Sequence, residues 1–299
     1  MSTVYDVAVV GSVGFLGSAV AAELTQRGAR VGGFTRGNPY VVDGALAAAA
    51  NTVVWAVRHV TPADPRRGGE ALLELGGLID AAQRADRVPH IVLLSSGGAV
   101  YGPPARAPFV EDSRPSPANE YGRVKFNEEL LLADAGLEHT VLRISNPYGP
   151  AQAAGALPQG RGVMGQGVMS QGVVGHWLAA VRAGEPITMF GDGSAVRDYV
   201  YIDDVAQAIS TAAQLRPGGI INVGSGEGTS LAQLLEVVRG AVANPAVAPR
   251  EIEVVHQPAR GVDPAAAWLN VTRAREVLGW RATTSLADGI ARTWAAVAQ

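Results

Sequence analysis

The chain has 299 residues, 47% hydrophobic and 17% charged, a composition that supports a sizeable core and excludes a disordered polymer. Its formal net charge of −3, without a long basic run, argues against a phosphate-tracking surface, so no nucleic acid is expected as a partner. Cysteine is absent, which removes thiolate nucleophiles, disulfides and cysteine-based metal sites together, and no apolar run reaches the roughly 18 residues of a membrane span.

At this length one large α/β unit with a smaller appended lobe is expected. Val4 to Val10 is a β-branched run, followed by a glycine-rich turn and an apolar-faced helical segment from Phe15 to Arg27. The alternation continues with strands over Arg30 to Thr35 and Val53 to Val57, a helix over Glu70 to Ala85, and a strand over Ile91 to Ser95. A helix over Tyr121 to Ala135 and a strand over Thr140 to Ile144 follow. Such alternation implies a Rossmann-type, doubly wound parallel sheet, and the continuous apolar strands suit burial on both faces. Between Arg36 and Asn51 only a short Ala-rich stretch stands where a full unit would hold another helix and strand, so the sheet is expected to be trimmed near residues 37–51.

From Ala151 to Gly175 the sequence turns rich in glycine and glutamine, with near-repeats at Gly162, Gly167 and Gly172, and reads as a long loop of the kind that lids a substrate site. Beyond Gly226 the signals predict a helix over Leu231 to Ala243 capped by Thr229 or Ser230, a strand over Glu251 to His256 and a last helix over Leu286 to Ala298. Asp203 and Asp204 are adjacent, so their side chains diverge on a helix and N-capping is their expected use. The five histidines lack metal-ligand spacing, and no metal is expected. The first residues enter a strand-like run rather than a charged leader, and the expected location is the cytoplasm, with no membrane partner.

Two motifs carry chemistry. Gly11-Ser12-Val13-Gly14-Phe15-Leu16-Gly17 closes the first strand and opens the first helix, where glycines permit a tight turn and close approach of backbone to a pyrophosphate. At the end of the second strand, where a carboxylate would hold adenosine ribose hydroxyls, stand Thr35 and Arg36. A guanidinium there pairs with a 2′-phosphate and favours NADP over NAD. The second motif is Tyr121 with Lys125 four residues on, one face of a helix. Lys125 is the chain's only lysine, every other cationic side chain being arginine or histidine. An ammonium one turn from a phenol stabilises the phenolate, which makes a usable general acid/base.

The glycine spacing and the Tyr-x-x-x-Lys helix, in that order, resemble the extended short-chain dehydrogenase/reductases that act on nucleotide sugars: epimerases, dehydratases and ketoreductases. Further stretches are similar to that family: Ser95-Ser96-Gly97-Gly98-Ala99-Val100-Tyr101-Gly102, Arg143 to Pro150, Gly191-Asp192-Gly193, Arg197 to Ala206, Asn222 to Gly226 and Leu278-Gly279-Trp280. The resemblance implies that Tyr121 transfers the proton and that Lys125 also holds the nicotinamide ribose. Gly11, Val13, Gly14, Phe15, Leu16, Gly17, Thr35, Arg36, Ala56, Ser95, Pro147 and Tyr148 would contact the cofactor, together with Tyr121 and Lys125. Asn146, Arg197 and Arg260 would contact the substrate's diphosphate, with Ser96 and Gly97 beside the sugar. It further implies a cofactor domain of residues 1–150 with 197–225, a substrate lobe of 151–196 with 226–299, and a homodimer formed through a four-helix interface of Glu70 to Ala85 and Tyr121 to Ala135.

The chain departs from the family pattern at three places. Counting back from Tyr101, the hydroxyl that orients the substrate falls on Gly97, so Ser96, Ser95 or a water must substitute. The adenine-contacting acid after the third strand is missing, and Asn270 stands where Asp is usual. The expected chemistry is hydride exchange at C4 of a nucleotide-diphosphate-linked hexose. An NADPH-dependent 4-ketoreductase stands slightly ahead of an NAD-retaining 4-epimerase, and a catalytically silent NADP-binding sensor or scaffold is the third reading.

Overall fold

A computed structural model of the chain describes residues 5–35, 50–57, 68–103, 105–150, 152, 172–243, 252–259 and 265–298. Its first half runs β1 (Tyr5–Val10), α1 (Phe15–Gln26), β2 (Val31–Phe34), β3 (Ala50–Trp55), α2 (Gly68–Gln83), β4 (His90–Ser96), α3 (Glu120–Asp134), β5 (His139–Ile144) and β6 (Asn146–Tyr148). Its second half runs α4 (Gly172–Ala183), β7 (Ile187–Phe190), β8 (Val196–Arg197), β9 (Tyr199–Tyr201), α5 (Ile202–Leu215), β10 (Gly219–Val223), β11 (Thr229–Ser230), α6 (Leu231–Val242), β12 (Val254–Gln257), β13 (Ala266–Ala267), α7 (Thr272–Leu278) and α8 (Leu286–Val297).

Six strands form one sheet in the order β10-β5-β4-β3-β1-β2, every neighbouring pair parallel. The period of two along each strand sorts the core into two layers. Val7 and Val9 face one layer with Val20 and Leu24 of α1 and Val205, Ile209 and Ala212 of α5. Ala8 and Val10 face the other, with Leu75, Leu78 and Ile79 of α2 and Leu132 of α3. Because β2 lies on one side of β1 and β3 on the other, the winding reverses at β1, and a crevice opens at the carboxyl ends of these strands.

The doubly wound sheet is as the alternation predicts. Ala50 and Asn51, however, belong to β3, which begins three residues before Val53 and ends at Trp55 rather than Val57. The early part of that strand carries small and polar residues: Ala50 is buried, and Thr52 is buried with its hydroxyl donating to the Ala213 carbonyl. The rest of the stretch expected to be trimmed lies outside the described residues.

A separate apolar cluster joins α4, α6 and α8 through Trp177, Leu178, Leu234, Val238, Ile290 and Trp294, with β7 beneath them. Within it β7 and β12 pair in parallel. Residues 172–175, expected in a long loop, start α4 instead; the remainder of that loop, apart from Gln152, lies outside the described residues. Ser230 is the cap of α6, in a capping box with Gln233. The Asp203–Asp204 pair does not cap α5: Tyr201 is the cap residue, and both acids sit in the first turn. There Asp204 is buried and accepts from Thr283 and Thr284, which pins the helix start to the segment before α8.

Candidate active site

The turn after β1 is shaped for close approach. Gly11 has φ +90°, and a Cβ on it would lie 2.7 Å from the Ala56 carbonyl oxygen. A Cβ on Gly17 would lie 2.1 Å from the Gly11 carbonyl oxygen, so α1 passes directly over the turn. Gly14 is the cap of α1; it offers no side-chain cap, and no acidic residue occupies the first turn. The first N–H groups of that helix therefore point their partial positive charge into the crevice without a competing carboxylate. Val13, on the same turn, is 78% exposed. Thr35 follows β2, beside this turn, while Arg36 lies outside the described residues.

At the carboxyl end of β4 the chain sends two adjacent serines in opposite directions. Ser95 is buried, and its hydroxyl donates to Glu129 Oε1. Ser96 instead lines a cleft of about 520 Å³ together with Gly98, Tyr121, Asn146, Pro147 and Arg197. Gly97 is turned from that cleft: a Cβ there would meet the Leu269 side chain at 2.7 Å and the Arg143 carbonyl oxygen at 3.1 Å. The α3 helix that carries Tyr121 opens on Asn119, whose side chain accepts from the Gly122 N–H. Lys125, one turn in, is buried, with Nζ 2.8 Å from Glu128 Oε2 and 3.4 Å from the Leu94 carbonyl oxygen.

Behind the cleft lies a polar layer. Arg143 donates to both carboxylate oxygens of Glu129, at 3.1 Å from Nε to Oε1 and 2.6 Å from Nη2 to Oε2, and its guanidinium stacks 4.7 Å from the Tyr101 ring centroid. Tyr101 donates to Asn222 at 2.8 Å; burial pushes its phenol above the ordinary range, against the opposing pull of Arg143. Asp198 is fully buried between β8 and β9. Its Oδ1 accepts from Ser145 and Ser225, and its Oδ2 from the Gly226 and Leu269 N–H groups. Burial nevertheless holds this carboxyl above the usual carboxylate range.

Residues 76–224 match the family model described as the NAD dependent epimerase/dehydratase family. A UDP-glucose 4-epimerase from Mycolicibacterium smegmatis is 40% identical over 223 residues, covering 72% of this chain and 64% of that protein's length. A dTDP-4-dehydro-6-deoxyglucose reductase from Escherichia coli is 34% identical over 205 residues, covering 67% and 58%. The crystal structure of the Thermus thermophilus UDP-glucose 4-epimerase in complex with NAD superposes with a TM-score of 0.79, at 28% identity, covering 96% of this chain and 97% of that one. The chain belongs to the extended short-chain dehydrogenase/reductases. As curated, the relatives are longer than the stretch they share with it, which is under two thirds of their length.

In this short-chain dehydrogenase/reductase the residues at hand fit a dinucleotide. The cradle at Gly11 and Gly17 would be filled by any added Cβ, and the uncapped start of α1 is suited to a pyrophosphate. Of the residues singled out from sequence, Ser96, Tyr121, Asn146, Pro147, Tyr148 and Arg197 come together around the cleft. Tyr148 meets it with a buried ring whose hydroxyl donates to Leu286, and the Asn146 amide donates to the Asp198 carbonyl. Arg197 donates to the adjacent Val196 carbonyl. Ser95 and Gly97 face away, Ala56 sits under the glycine turn, and Arg260 lies outside the described residues.

Asn270, at the third departure, accepts from the Thr272 N–H through its side chain and so holds the turn into α7. Sequence reasoning missed the far wall of the cleft, formed by His176, Trp177, Thr188 and Phe190. It also missed Asp198 and the Glu129–Arg143 pair. A buried ion pair has no signature in sequence beyond its residue types. Asp198 lay in a stretch quoted for its likeness to the family, but nothing in the spacing tells that its carboxylate ties three segments together. No described helix is long and apolar enough to cross a membrane.

Proposed function

We propose that the protein is an NAD-retaining 4-epimerase of a nucleotide-diphosphate-linked hexose. The observation that carries this reading is the convergence of Tyr121, Ser96 and Asn146 on one cleft at the carboxyl end of the sheet. The bound dinucleotide would supply a reversible hydride acceptor. With that acceptor bound, Tyr121 would take the proton of the sugar's C4 hydroxyl as C4 is oxidised and return it as C4 is reduced from the opposite face. Ser96 donates a hydrogen bond to the same sugar oxygen and fixes it for transfer. Lys125 holds the nicotinamide ribose, and Arg197 with Arg260 and Asn146 offers donors to the diphosphate.

Residues 1–150 with 197–225 serve the cofactor in this reading, and 151–196 with 226–299 the substrate. Ser96 supplies the hydroxyl missing at Gly97, which takes away the weight that a silent sensor drew from that departure. We assign a homodimer through α2 and α3, where Leu73 is 78% and Leu130 45% exposed; a strict monomer in solution at micromolar protein would remove that assignment.

The test is incubation with UDP-glucose and catalytic NAD, followed by proton NMR of the anomeric signals. The reading requires the C4 epimer to appear without net loss of NAD.

A second reading, an NADPH-dependent 4-ketoreductase working in the cytoplasm on a deoxysugar, draws support from Thr35-Arg36 and from the 34% identity to the reductase relative. Arg36→Asp separates the two. If the reductase reading is right, it weakens NADPH binding through repulsion of the 2′-phosphate and spares NADH. Equal effects on both dinucleotides would count against NADP.

A further inference from the structure

The segment that brings Arg197 to the cleft is held from behind by its next residue. Asp198 alone separates β8 from β9, and successive side chains of extended backbone leave on opposite sides. Arg197 and Tyr199 accordingly line the cleft, while Asp198 between them is fully buried. Its Oδ1 accepts from the Ser145 hydroxyl at 3.1 Å and from the Ser225 N–H and hydroxyl, both at 2.7 Å. Its Oδ2 accepts from the Leu269 N–H at 3.2 Å and the Gly226 N–H at 3.3 Å. The backbone passes this carboxylate so closely that a Cβ on Gly224 would run into Oδ2. Three segments, those that follow β5, β10 and β13, are thus joined at one side chain.

The main chain of the same residue holds a second group of the cleft. The Asp198 carbonyl accepts from the Asn146 N–H at 3.0 Å and from the Asn146 side-chain amide at 2.9 Å. Arg197 is fixed through the backbone it shares with Asp198, and Asn146 through that carbonyl.

We propose that Asp198 is a positioning residue for the substrate's diphosphate: by anchoring its own segment to those that follow β5, β10 and β13, it keeps Arg197 and Asn146 at the spacing that the two phosphates need. The inference rests on the assignment of Arg197 and Asn146 to the diphosphate given above. Asparagine at 198 would keep the shape and one acceptor oxygen. Its amide nitrogen is a donor, so whichever way the group turns, one set of N–H donors loses its acceptor and the anchor opens on that side.

Calorimetric titration with UDP, with dTDP and with NAD, on protein freed of bound nucleotide, reads the effect without turnover. Asp198→Asn should weaken whichever nucleoside diphosphate the wild type prefers by at least about tenfold, because small misplacements of binding groups are costly. NAD affinity should stay within about threefold. A residue that only stabilises the fold would lower the urea midpoint and leave both affinities of the folded protein in place, which overturns the proposal. Equal losses for NAD and the diphosphate overturn it too.

Ser225→Ala keeps the test decisive where Asp198→Asn does not fold. It removes one donor from Oδ1 and leaves the carboxylate and its backbone anchors, and it should weaken the diphosphate by at least about twofold with NAD unchanged. Unchanged diphosphate affinity in that variant overturns the proposal. A wild type that binds neither UDP nor dTDP fails differently: it removes the nucleotide-sugar reading, and the proposal with it.

Discussion

Ser95 and Ser96 are neighbours at the end of β4, yet the Ser95 hydroxyl donates inward to Glu129 while Ser96 lines the cleft with Tyr121. Alternation along a strand produces the split: successive side chains leave on opposite faces, so only one of the two can reach a substrate. Ser96→Ala should lower kcat at least about tenfold with little change in urea midpoint, since it removes one hydrogen bond made in the transition state. Ser95→Ala should do the reverse, costing about 1–3 kcal/mol of stability by leaving Glu129 short of a donor. Paired kinetics and urea unfolding decide it, and a catalytic loss confined to Ser95→Ala would exchange the two roles.

Tyr121→Phe removes the proton carrier and little else. Turnover should drop by at least about a hundredfold while the dissociation constant for NAD stays within about twofold. Titration of the variant with NAD after its retained nucleotide has been removed, beside a turnover assay, checks both halves, and surviving turnover would remove the phenol from the mechanism.

Gly17→Ala places a methyl against the Gly11 carbonyl oxygen, at 2.1 Å before relaxation, so the turn must open. NAD affinity should fall at least about tenfold, roughly 1.4 kcal/mol. Gly240→Ala on α6 is the control: its Cβ meets nothing within 4 Å, and the helix should gain up to about 1 kcal/mol with cofactor affinity unchanged. Tight binding in Gly17→Ala would show that the turn does not hold the pyrophosphate.

His90 gives a pH signature at the other end of the sheet. It is 4% exposed, with Nε2 2.8 Å from Thr140 Oγ1, and burial, aided by the Arg216 charge, lowers its imidazole to about 4. A histidine in the unfolded chain protonates near 6.5, so between about pH 6.5 and 4 the unfolded state binds a proton that the folded state refuses. Stability should be full above that window, decline as the pH falls through it, and flatten below it, by no more than about 3 kcal/mol from this residue. Urea midpoints for wild type and His90→Gln should converge as the pH falls; parallel curves would assign the loss to other groups.

The legible parts of this molecule were those set by short-range rules. The glycine turn, α1 and the Tyr121 helix follow from backbone conformation, capping and helical period, all local in sequence. The α4 helix was not legible because Val174, Trp177, Leu178 and Val181 and the small residues among them are buried, so no polar face gives it a 3.6-residue signal, and it follows a glycine-rich stretch. The choice between Ser95 and Ser96 was also hidden, because it depends on which face of β4 meets α3, a tertiary fact. Likewise Glu128 and Glu129 are identical in type and adjacent in sequence; only the packing of α3 against β4 and β5 gives one to Lys125 and the other to Arg143.

The central claim is an enzyme that oxidises and re-reduces its sugar without letting the dinucleotide go. Denaturing the purified protein and identifying the released nucleotide by mass tests it most directly. The account predicts NAD near one equivalent per chain after extensive dialysis. A protein that emerges empty and then binds NADPH in preference to NADH would contradict it and make the protein a reductase that exchanges its cofactor at every turnover.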